Sequence, residues 1–354
     1  MLGLQEILSL AVQRGAADIF LIAGSPVACR VGREIARVDG EMLLPAGTVQ
    51  LIGEIYRLAD RSEERLLQNG DDDFSFAVPG LSRFRASAYR QRGSLAAVIR
   101  VIRFGIPDYR ALGIPEAVMK AVECQKGMIL VTGPAGSGKS TTQACMIDRI
   151  NATRACHIIT LEEPIEFLHA NKRSIVSQRE VEQDSLNYMT ALRACLRQAP
   201  DVILVGEMRD SETIATAMTA AETGHLVIST LHTVGAANSI DRIIDSFPPA
   251  QQQQIRVQLA MTLNCVVSQQ LVPTKDGSLA PAMEIMYLNN AIRTLIRDSK
   301  IHQIDGVIAS SSAAGMVAMD ASLFELVRSG RVEASAALNC AENPEQFQNR
   351  LRLL

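Results

Sequence analysis

The sequence predicts an α/β protein with about two domains, the larger built on a parallel sheet covered by helices. The chain has 354 residues, of which 47% are hydrophobic. This is enough apolar material for about two cores, at roughly 100–200 residues per domain. From about residue 116, short apolar strands alternate with helix-forming runs. Repeated alternation of this kind requires right-handed β-α-β crossovers and therefore a parallel sheet.

Residues 1–103 are predicted to form a small mixed α/β domain. The stretch 83–89 alternates in the manner of a half-buried strand. Its two faces are Phe84, Ala86 and Ala88 on one side and Arg83, Arg85 and Tyr89 on the other. A second apolar run over 95–102 is interrupted only by Arg100. The stretch 104–115 holds two Gly and two Pro and is predicted to be a linker.

Residues 116–354 are predicted to contain the alternating elements. The predicted strands are 128–131, 157–161, 202–205 and 226–231, and the predicted helices are 141–151, 188–198 and 211–222. Beyond about residue 235 the pattern is mostly helical. There the small, polar stretch 306–315 is predicted to be a loop, and Ser322 is predicted to cap a short helix over 323–329.

A complete phosphate-loop motif, G-x-x-x-x-G-K-[ST], spans 133–140 between a predicted strand and a predicted helix. Its glycines let several backbone N–H groups converge on one anion, and the helix N-terminus adds partial positive charge. Lys139 is placed to reach the β- and γ-phosphates, and Ser140 offers a hydroxyl to Mg²⁺. The predicted nucleotide-binding residues are Gly133, Pro134, Ala135, Gly136, Ser137, Gly138, Lys139, Ser140 and Thr141.

Two acidic strand ends are predicted to lie beside this loop. One apolar strand ends just before Glu207, which can face Mg²⁺ or its water shell because parallel strands end at a common edge. The other end carries Glu162, Glu163 and Glu166, whose mutual repulsion predicts a cation nearby. Glu163 is a candidate to orient or deprotonate the attacking water.

Two histidines flank the predicted strand 226–231. His225 and His232 lie at its opposite ends, too far apart to share one metal ion. His232 falls at the carboxyl end and is a candidate for contact with a γ-phosphate. The alternative is that both histidines are polar strand caps.

Composition disfavours several function classes. The net charge is −3, from 35 Lys and Arg against 38 Asp and Glu, and aromatic residues are 4%. No partnership with nucleic acid is expected, since the chain lacks a positive field and a stacking surface. No apolar stretch approaches the roughly 18 residues of a membrane span, so no transmembrane insertion is expected. The seven cysteines include no C-x-x-C pair, which argues against a structural zinc site.

Taken together, the motifs resemble those of the type II/type IV secretion ATPases, and within them the PilT-type pilus retraction ATPases. Thr160–Glu166 is similar to the family's Asp box, Asp201–Asp210 (DVILVGEMRD) to its Walker B motif and Thr223–His232 (TGHLVISTLH) to its His box. The likeness covers nearly the whole chain. Four boxes in this order and spacing are highly specific.

The resemblance implies a PAS-like domain at 1–103 and, after the linker, a RecA-like P-loop domain with C-terminal helices at 116–354. It implies a homohexameric ring that hydrolyses ATP with Mg²⁺ between neighbouring subunits. Arginines of the first domain reach the phosphates in this family, and the candidates here are Arg85, Arg100 and Arg103. Arg100 is singled out because a guanidinium within an apolar run must find a partner.

The resemblance also implies an output and partners. The output is pilus retraction and twitching motility. The partner is the PilC-type inner-membrane platform protein of the pilus machine, with other pilus ATPases as further partners. The implied location is cytoplasmic, at the inner face of the membrane. The segment AIRTLIRDSK at 291–300 is similar to the retraction subgroup's AIRAGE region.

Three departures from the family pattern stand out. Glu163 occupies the place where close relatives commonly have Asp, so whether Glu162 or Glu163 acts as the base stays open. Gln270 stands where Arg is usual, which removes one cation. Val234 and Gly235 replace the usual polar pair after LHT.

Three other functions stay open at this stage. Pilus assembly or type II secretion is one, although those relatives usually carry a further N-terminal domain and a four-cysteine zinc insertion. A DNA translocase is another, against which the charge and the scarce aromatic residues argue. The third is a nucleotide-binding scaffold without turnover, against which the intact Lys139, Ser140 and Glu207 argue.

Overall fold

A computed structural model describes residues 2–32, 34–102 and 105–352. The chain divides into two compact units. The first comprises Met1–Gly105 with Glu166–Leu168, and the second Ile106–Ile165 with His169–Leu354. Each unit has its own apolar core. The predicted α/β class is confirmed, and the PAS-like character of the first unit stays a prediction.

The first unit is built on a six-stranded antiparallel sheet with the order β3-β2-β1-β6-β5-β4. Its elements are α1 (Leu4–Gln13), β1 (Asp18–Ile22), β2 (Pro26–Val31), β3 (Glu34–Met42), α2 (Pro45–Leu58), α3 (Glu64–Asn69), β4 (Asp71–Val78), β5 (Ser82–Gln91) and β6 (Ser94–Ile102). The predicted alternation on β5 is confirmed, with Phe84, Ala86 and Ala88 buried. Side chains on the opposite face of this strand are only half-buried, so that face can carry charge.

The second unit is built on a seven-stranded sheet with the order β13-β12-β7-β11-β10-β8-β9. Its elements are α4 (Glu116–Lys120), β7 (Gly127–Thr132), α5 (Lys139–Thr153), β8 (His157–Glu162), β9 (Ile175–Glu180), α6 (Tyr188–Cys195), β10 (Val202–Val205), α7 (Ser211–Glu222), β11 (Leu226–Leu231), α8 (Ala236–Asp245), α9 (Pro249–Thr262), β12 (Leu263–Pro273), β13 (Leu279–Tyr287), α10 (Asn290–Arg297), α11 (Ile304–Ser310), α12 (Met319–Arg328), α13 (Ala334–Leu338) and α14 (Pro344–Leu351). Adjacent strands run parallel except for the pair β12 and β13.

The central strands of this sheet are buried along their whole length. Every residue of β7, β10 and β11 is buried, as expected for parallel strands covered on both faces. Their carboxyl ends therefore meet at one edge, where the phosphate loop and the predicted acids follow the strands. Ile106, Leu112 and Ile114, from the predicted linker, pack against the core of this second unit. Among the described residues, no helix is long and apolar enough to cross a membrane.

Three predictions for the C-terminal region were wrong. The region beyond residue 235 was predicted to be mostly helical, but it contains the strands β12 and β13. These strands were missed because an apolar run that is buried on both faces lacks the two-residue alternation typical of a strand. The predicted loop at 306–315 contains most of α11, which buries Ile304 and Ile308 one helical turn apart. The last helix of the prediction, α12, begins at Met319. Ser322 lies inside it, where its hydroxyl accepts a hydrogen bond from the Met283 N–H at 3.0 Å.

Candidate nucleotide-binding site

The phosphate loop connects β7 to α5 through backbone that only glycine adopts easily. Gly133 has φ +144° and Gly138 has φ +86°. A Cβ at Gly133 would overlap the carbonyl oxygen of Gln269 and lie 2.7 Å from the Ser137 hydroxyl. The loop is therefore packed tightly against β12, and its curvature depends on these glycines.

Lys139 begins α5 and is 9% exposed. Its ammonium donates to the carbonyl oxygens of Gly133 and Pro134, each at 2.9 Å, and lies 3.5 Å from the His232 Nδ1. These contacts hold the positive charge of Lys139 beside the first residues of the loop. Ser140 is half-buried in the first turn of α5.

Gln269 is a structural partner of the loop that lies outside every motif of the sequence. It lies on β12 and is 2% exposed. Its Oε1 accepts a hydrogen bond from the Thr142 hydroxyl at 2.7 Å, and its Nε2 donates to the Ser137 carbonyl oxygen. The adjacent Gln270, where relatives carry Arg, donates to the Cys340 carbonyl oxygen at 3.3 Å. A buried glutamine in a strand was the available signal, since such an amide must be hydrogen-bonded.

Glu207 lies just beyond β10, and its carboxylate contacts one guanidinium and one imidazole ring. Its carboxylate accepts from the Arg209 guanidinium at 2.9 Å and lies 3.1 Å from the His232 Nε2. Burial alone raises the pKa of Glu207, but the hydrogen bond and charge of Arg209, with His232, outweigh it and bring the pKa below its ordinary value. Glu207 is therefore an anion at neutral pH. Arg209 was another residue that the sequence analysis did not single out.

His232 joins the loop lysine to the Walker B acid. It follows β11 at the carboxyl end, with Nδ1 toward Lys139 and Nε2 toward Glu207. The two ring nitrogens therefore face different partners, an ammonium on one side and a carboxylate on the other. His225 lies at the other end of β11, where its Nδ1 contacts the Ala220 carbonyl oxygen at 2.9 Å. The two histidines are confirmed to be separated by the strand.

Of the three carboxylates at the acidic end of β8, one is hydrogen-bonded within the protein and two are exposed to solvent. Glu162 Oε1 accepts from the Thr160 hydroxyl at 2.6 Å and from Gln178 Nε2 at 3.1 Å. Glu163 and Glu166 are exposed, so water relieves most of the predicted repulsion. The positive charge of Arg209 interacts with Glu163, which supplies the predicted cation for one of the three.

Tyr188 adds a hydroxyl to this acidic region. It begins α6, and its hydroxyl oxygen would lie 2.8 Å from a Cβ at Gly206. The glycine before Glu207 thus leaves room for the phenol. Burial first, and then the charges of Glu163, Glu207 and Glu162, raise the pKa of Tyr188, so the phenol stays a neutral donor. No motif covers this position, and the tyrosine itself carries no distinctive sequence signal.

The predicted arginines belong to the first unit. Arg85 and Arg100 lie opposite each other on β5 and β6. The Arg100 side chain is 69% exposed and pairs with Asp18 at 3.1 Å, and the same aspartate lies 3.3 Å from Arg30. The partner that Arg100 requires is therefore local. Arg103 lies outside the described residues, and the action of these arginines on phosphate stays a prediction.

The donors at the loop suit Mg²⁺. This ion prefers oxygen ligands and keeps several waters while it binds substrate phosphates and one or two carboxylates. The Ser140 hydroxyl and the Glu207 carboxylate are ligands of that kind. Among the described residues, no cluster of three His, Cys, Asp or Glu could hold a metal ion by itself.

Loop, lysine, histidine and acid at one edge of a parallel sheet define a P-loop nucleotide-hydrolase site. The chain belongs to the type II/IV secretion system protein family, which matches residues 2–327. The resemblance to secretion ATPases is thereby confirmed, and the chain is an ATPase of this family.

Three relatives show the extent of the likeness. A twitching motility protein of Neisseria gonorrhoeae is 46% identical over 88% of this chain and 85% of its own length. The type IV pilus retraction ATPase PilT of Pseudomonas aeruginosa is 42% identical over 97% of this chain and 99% of its own. A crystal structure of the pilus retraction motor PilT with bound ADP has a TM-score of 0.90 at 44% identity, covering 99% of this chain and 100% of that chain.

Proposed function

We propose that the protein is an ATP-driven motor that powers the retraction of type IV pili. The hydrolytic part of the proposal depends on one observation, the contact chain from Lys139 through His232 to Glu207. The pilus part is supported by the near-complete coverage of relatives that are named for pilus retraction and twitching motility.

The roles follow from the contacts. The loop amides and Lys139 bind the β- and γ-phosphates of ATP, and Ser140 and Glu207 hold Mg²⁺, which neutralises phosphate charge when bound. Glu163, exposed beside the site, takes the proton of the attacking water. His232 keeps Glu207 oriented and responds to the γ-phosphate through Lys139. Glu162 has a positioning role, because Thr160 and Gln178 already bind its Oε1.

We further propose that the motor works as a homohexamer. In this arrangement residues 1–103 form the first domain, 104–115 the linker and 116–354 the ATPase domain. Arg85, Arg100 and Arg103 act on nucleotide phosphates within the ring, because guanidinium groups stabilise transferring phosphoryl charge. The ring works in the cytoplasm at the inner face of the membrane, with the pilus platform protein as its partner.

The test begins with hydrolysis by the purified chain in the presence of Mg²⁺. Lys139→Ala is expected to reduce ATP hydrolysis to background while the circular dichroism spectrum is unchanged, because the loop loses its cation for phosphate. Wild-type turnover in that variant contradicts the assignment of the site. Deletion of the gene in its host is expected to leave excess surface pili without motility. Cells without pili indicate assembly instead.

A further inference from the structure

A cavity lies next to Glu207, outside the phosphate loop. Its volume is about 300 Å³, and it is formed by the ends of β10 and β11 with one face of α8. The polar residues that line it are Glu207, Arg209, His232, Thr233, Arg242 and Ser246. No residue of 133–141 lines it, so Glu207 and His232 are the boundary that it shares with the loop.

The charge of this cavity is positive overall. The Glu207 carboxylate is already paired with Arg209 at 2.9 Å and with His232 at 3.1 Å, which leaves little free negative charge. Arg242 adds a second guanidinium, and the described residues supply no ion-pair partner for it. Ser246 follows the last residue of α8, and its hydroxyl donates to the Arg242 carbonyl oxygen at 2.8 Å. The acids of the same helix, Asp241 and Asp245, do not line the cavity.

We propose that this cavity binds the inorganic phosphate released by hydrolysis, with Arg242 as its principal ligand. The inference rests on the proposed function. Hydrolysis breaks the bond from the γ-phosphorus to the bridging oxygen and forms a bond to the oxygen of water, whose proton passes to Glu163. The product is a small dianion with several acceptor oxygens. The planar guanidinium of Arg242 presents several N–H donors, which suit such an anion.

The position of the cavity explains why the phosphate goes there. Lys139 and the loop continue to hold ADP, so the free phosphate must leave in another direction. Glu207 and His232 separate the loop from the cavity, and the contact of the Glu207 carboxylate with Arg209 at 2.9 Å limits its repulsion of an anion. Arg242 then holds the phosphate until it escapes to solvent, which makes its release a distinct step of the cycle.

The experiment measures inhibition of steady-state ATP hydrolysis by added inorganic phosphate, using the full chain. Arg242→Ala is expected to raise the inhibition constant for phosphate about tenfold, since a charge-assisted hydrogen bond is lost. Arg242→Lys is expected to raise it less. The matched control is Arg197→Ala, which removes the same charge from an exposed position that does not line the cavity. It should leave the constant unchanged.

Several results would overturn the proposal. These are an absence of inhibition by phosphate at tens of millimolar, an equal shift in Arg242→Ala and Arg197→Ala, or a loss of oligomer mass in Arg242→Ala by light scattering. The last result would assign Arg242 to a subunit contact. Direct binding of labelled phosphate in the presence of ADP requires no turnover. It therefore distinguishes a failure of the phosphate-site proposal from a failure of the ATPase assignment. Binding that Arg242→Ala abolishes supports the cavity even in a chain that does not hydrolyse ATP.

Discussion

The two acidic strand ends of the ATPase unit, at β8 and β10, carry the same functional group in opposite settings. Glu207 after β10 is half-buried and bound by Arg209 and His232. Glu163 after β8 is exposed, and the hydrogen bonds from Thr160 and Gln178 at that strand end go to Glu162. A carboxylate with fixed partners is suited to hold a metal ion in one place. An exposed carboxylate is suited to accept a proton and return it to solvent.

This difference favours Glu163 over Glu162 as the candidate base. Glu162 already accepts two hydrogen bonds at one oxygen, and both come from neutral groups that fix its orientation. We therefore place proton transfer on Glu163 and orientation of the strand end on Glu162.

Replacing the exposed acid should have the largest effect on turnover. Glu163→Gln is expected to reduce kcat by about 1000-fold, because general-base catalysis contributes roughly 10²–10⁴. Glu163→Asp keeps a carboxylate and should remain within about tenfold of wild type. Glu162→Gln keeps an acceptor for Thr160 and should also stay within about tenfold. Steady-state kinetics measure all three, and a larger loss in Glu162→Gln than in Glu163→Gln would reverse the two roles.

Replacing the paired acid should have the next largest effect. Glu207→Gln is expected to lower kcat by about 100-fold, because the site loses charge that holds Mg²⁺ while Lys139 and the loop stay intact. ATP should remain bound, as measured by equilibrium binding of a fluorescent ATP analogue. An unchanged steady-state rate would remove Glu207 from the mechanism.

The tyrosine between the two strand ends should have a smaller effect. Tyr188→Phe removes a neutral donor from the neighbourhood of Glu163 and Glu207 without changing the volume of the ring. We expect kcat to fall about fivefold, within the range of one hydrogen bond, and the melting temperature to stay close to wild type. Tyr89→Phe on the first unit is the matched control and should have wild-type kinetics. Equal kinetics in the two variants would show that the Tyr188 hydroxyl does not contribute.

The smallest effect is expected in the pH dependence of stability. The pKa of Glu207 is lower in the folded protein than its ordinary value of 4.5, so its pairing stabilises the fold above that value and is lost as the pH falls through the folded value. At pH 7, Glu207→Gln should melt at most about 2–4 °C below wild type. The gap should close as the pH falls from 4.5 through the lower pKa of the folded protein. The control is Glu163→Gln, at an exposed position, and its gap from wild type at pH 7 should be smaller. A gap that widens in acid would contradict the sign.

How far prediction succeeded depended on whether a local pattern carried the information. The strands β7, β8, β10 and β11 were predicted within one or two residues, because short apolar runs between turn signals reflect burial on both faces. The strand β12 was missed in the same region of the core, since nothing in its sequence distinguishes it from a buried helix segment. The side chain of Gln269, which binds the loop from that strand, was therefore missed as well.

The sequence by itself determined the phosphate loop, the acids after the strands and the histidine after β11, because each belongs to a contiguous motif whose backbone geometry is local. Only the tertiary structure decided which of these groups touch. Lys139, Glu207 and His232 are joined because β7, β10 and β11 are neighbours in the sheet, although they are distant along the chain. The same packing brings Tyr188 close to the strand end that carries Glu207, and it brings Arg242 to the cavity beside Glu207. Hydrogen bonds and charges act over a few ångströms of space, and sequence separation does not measure that distance.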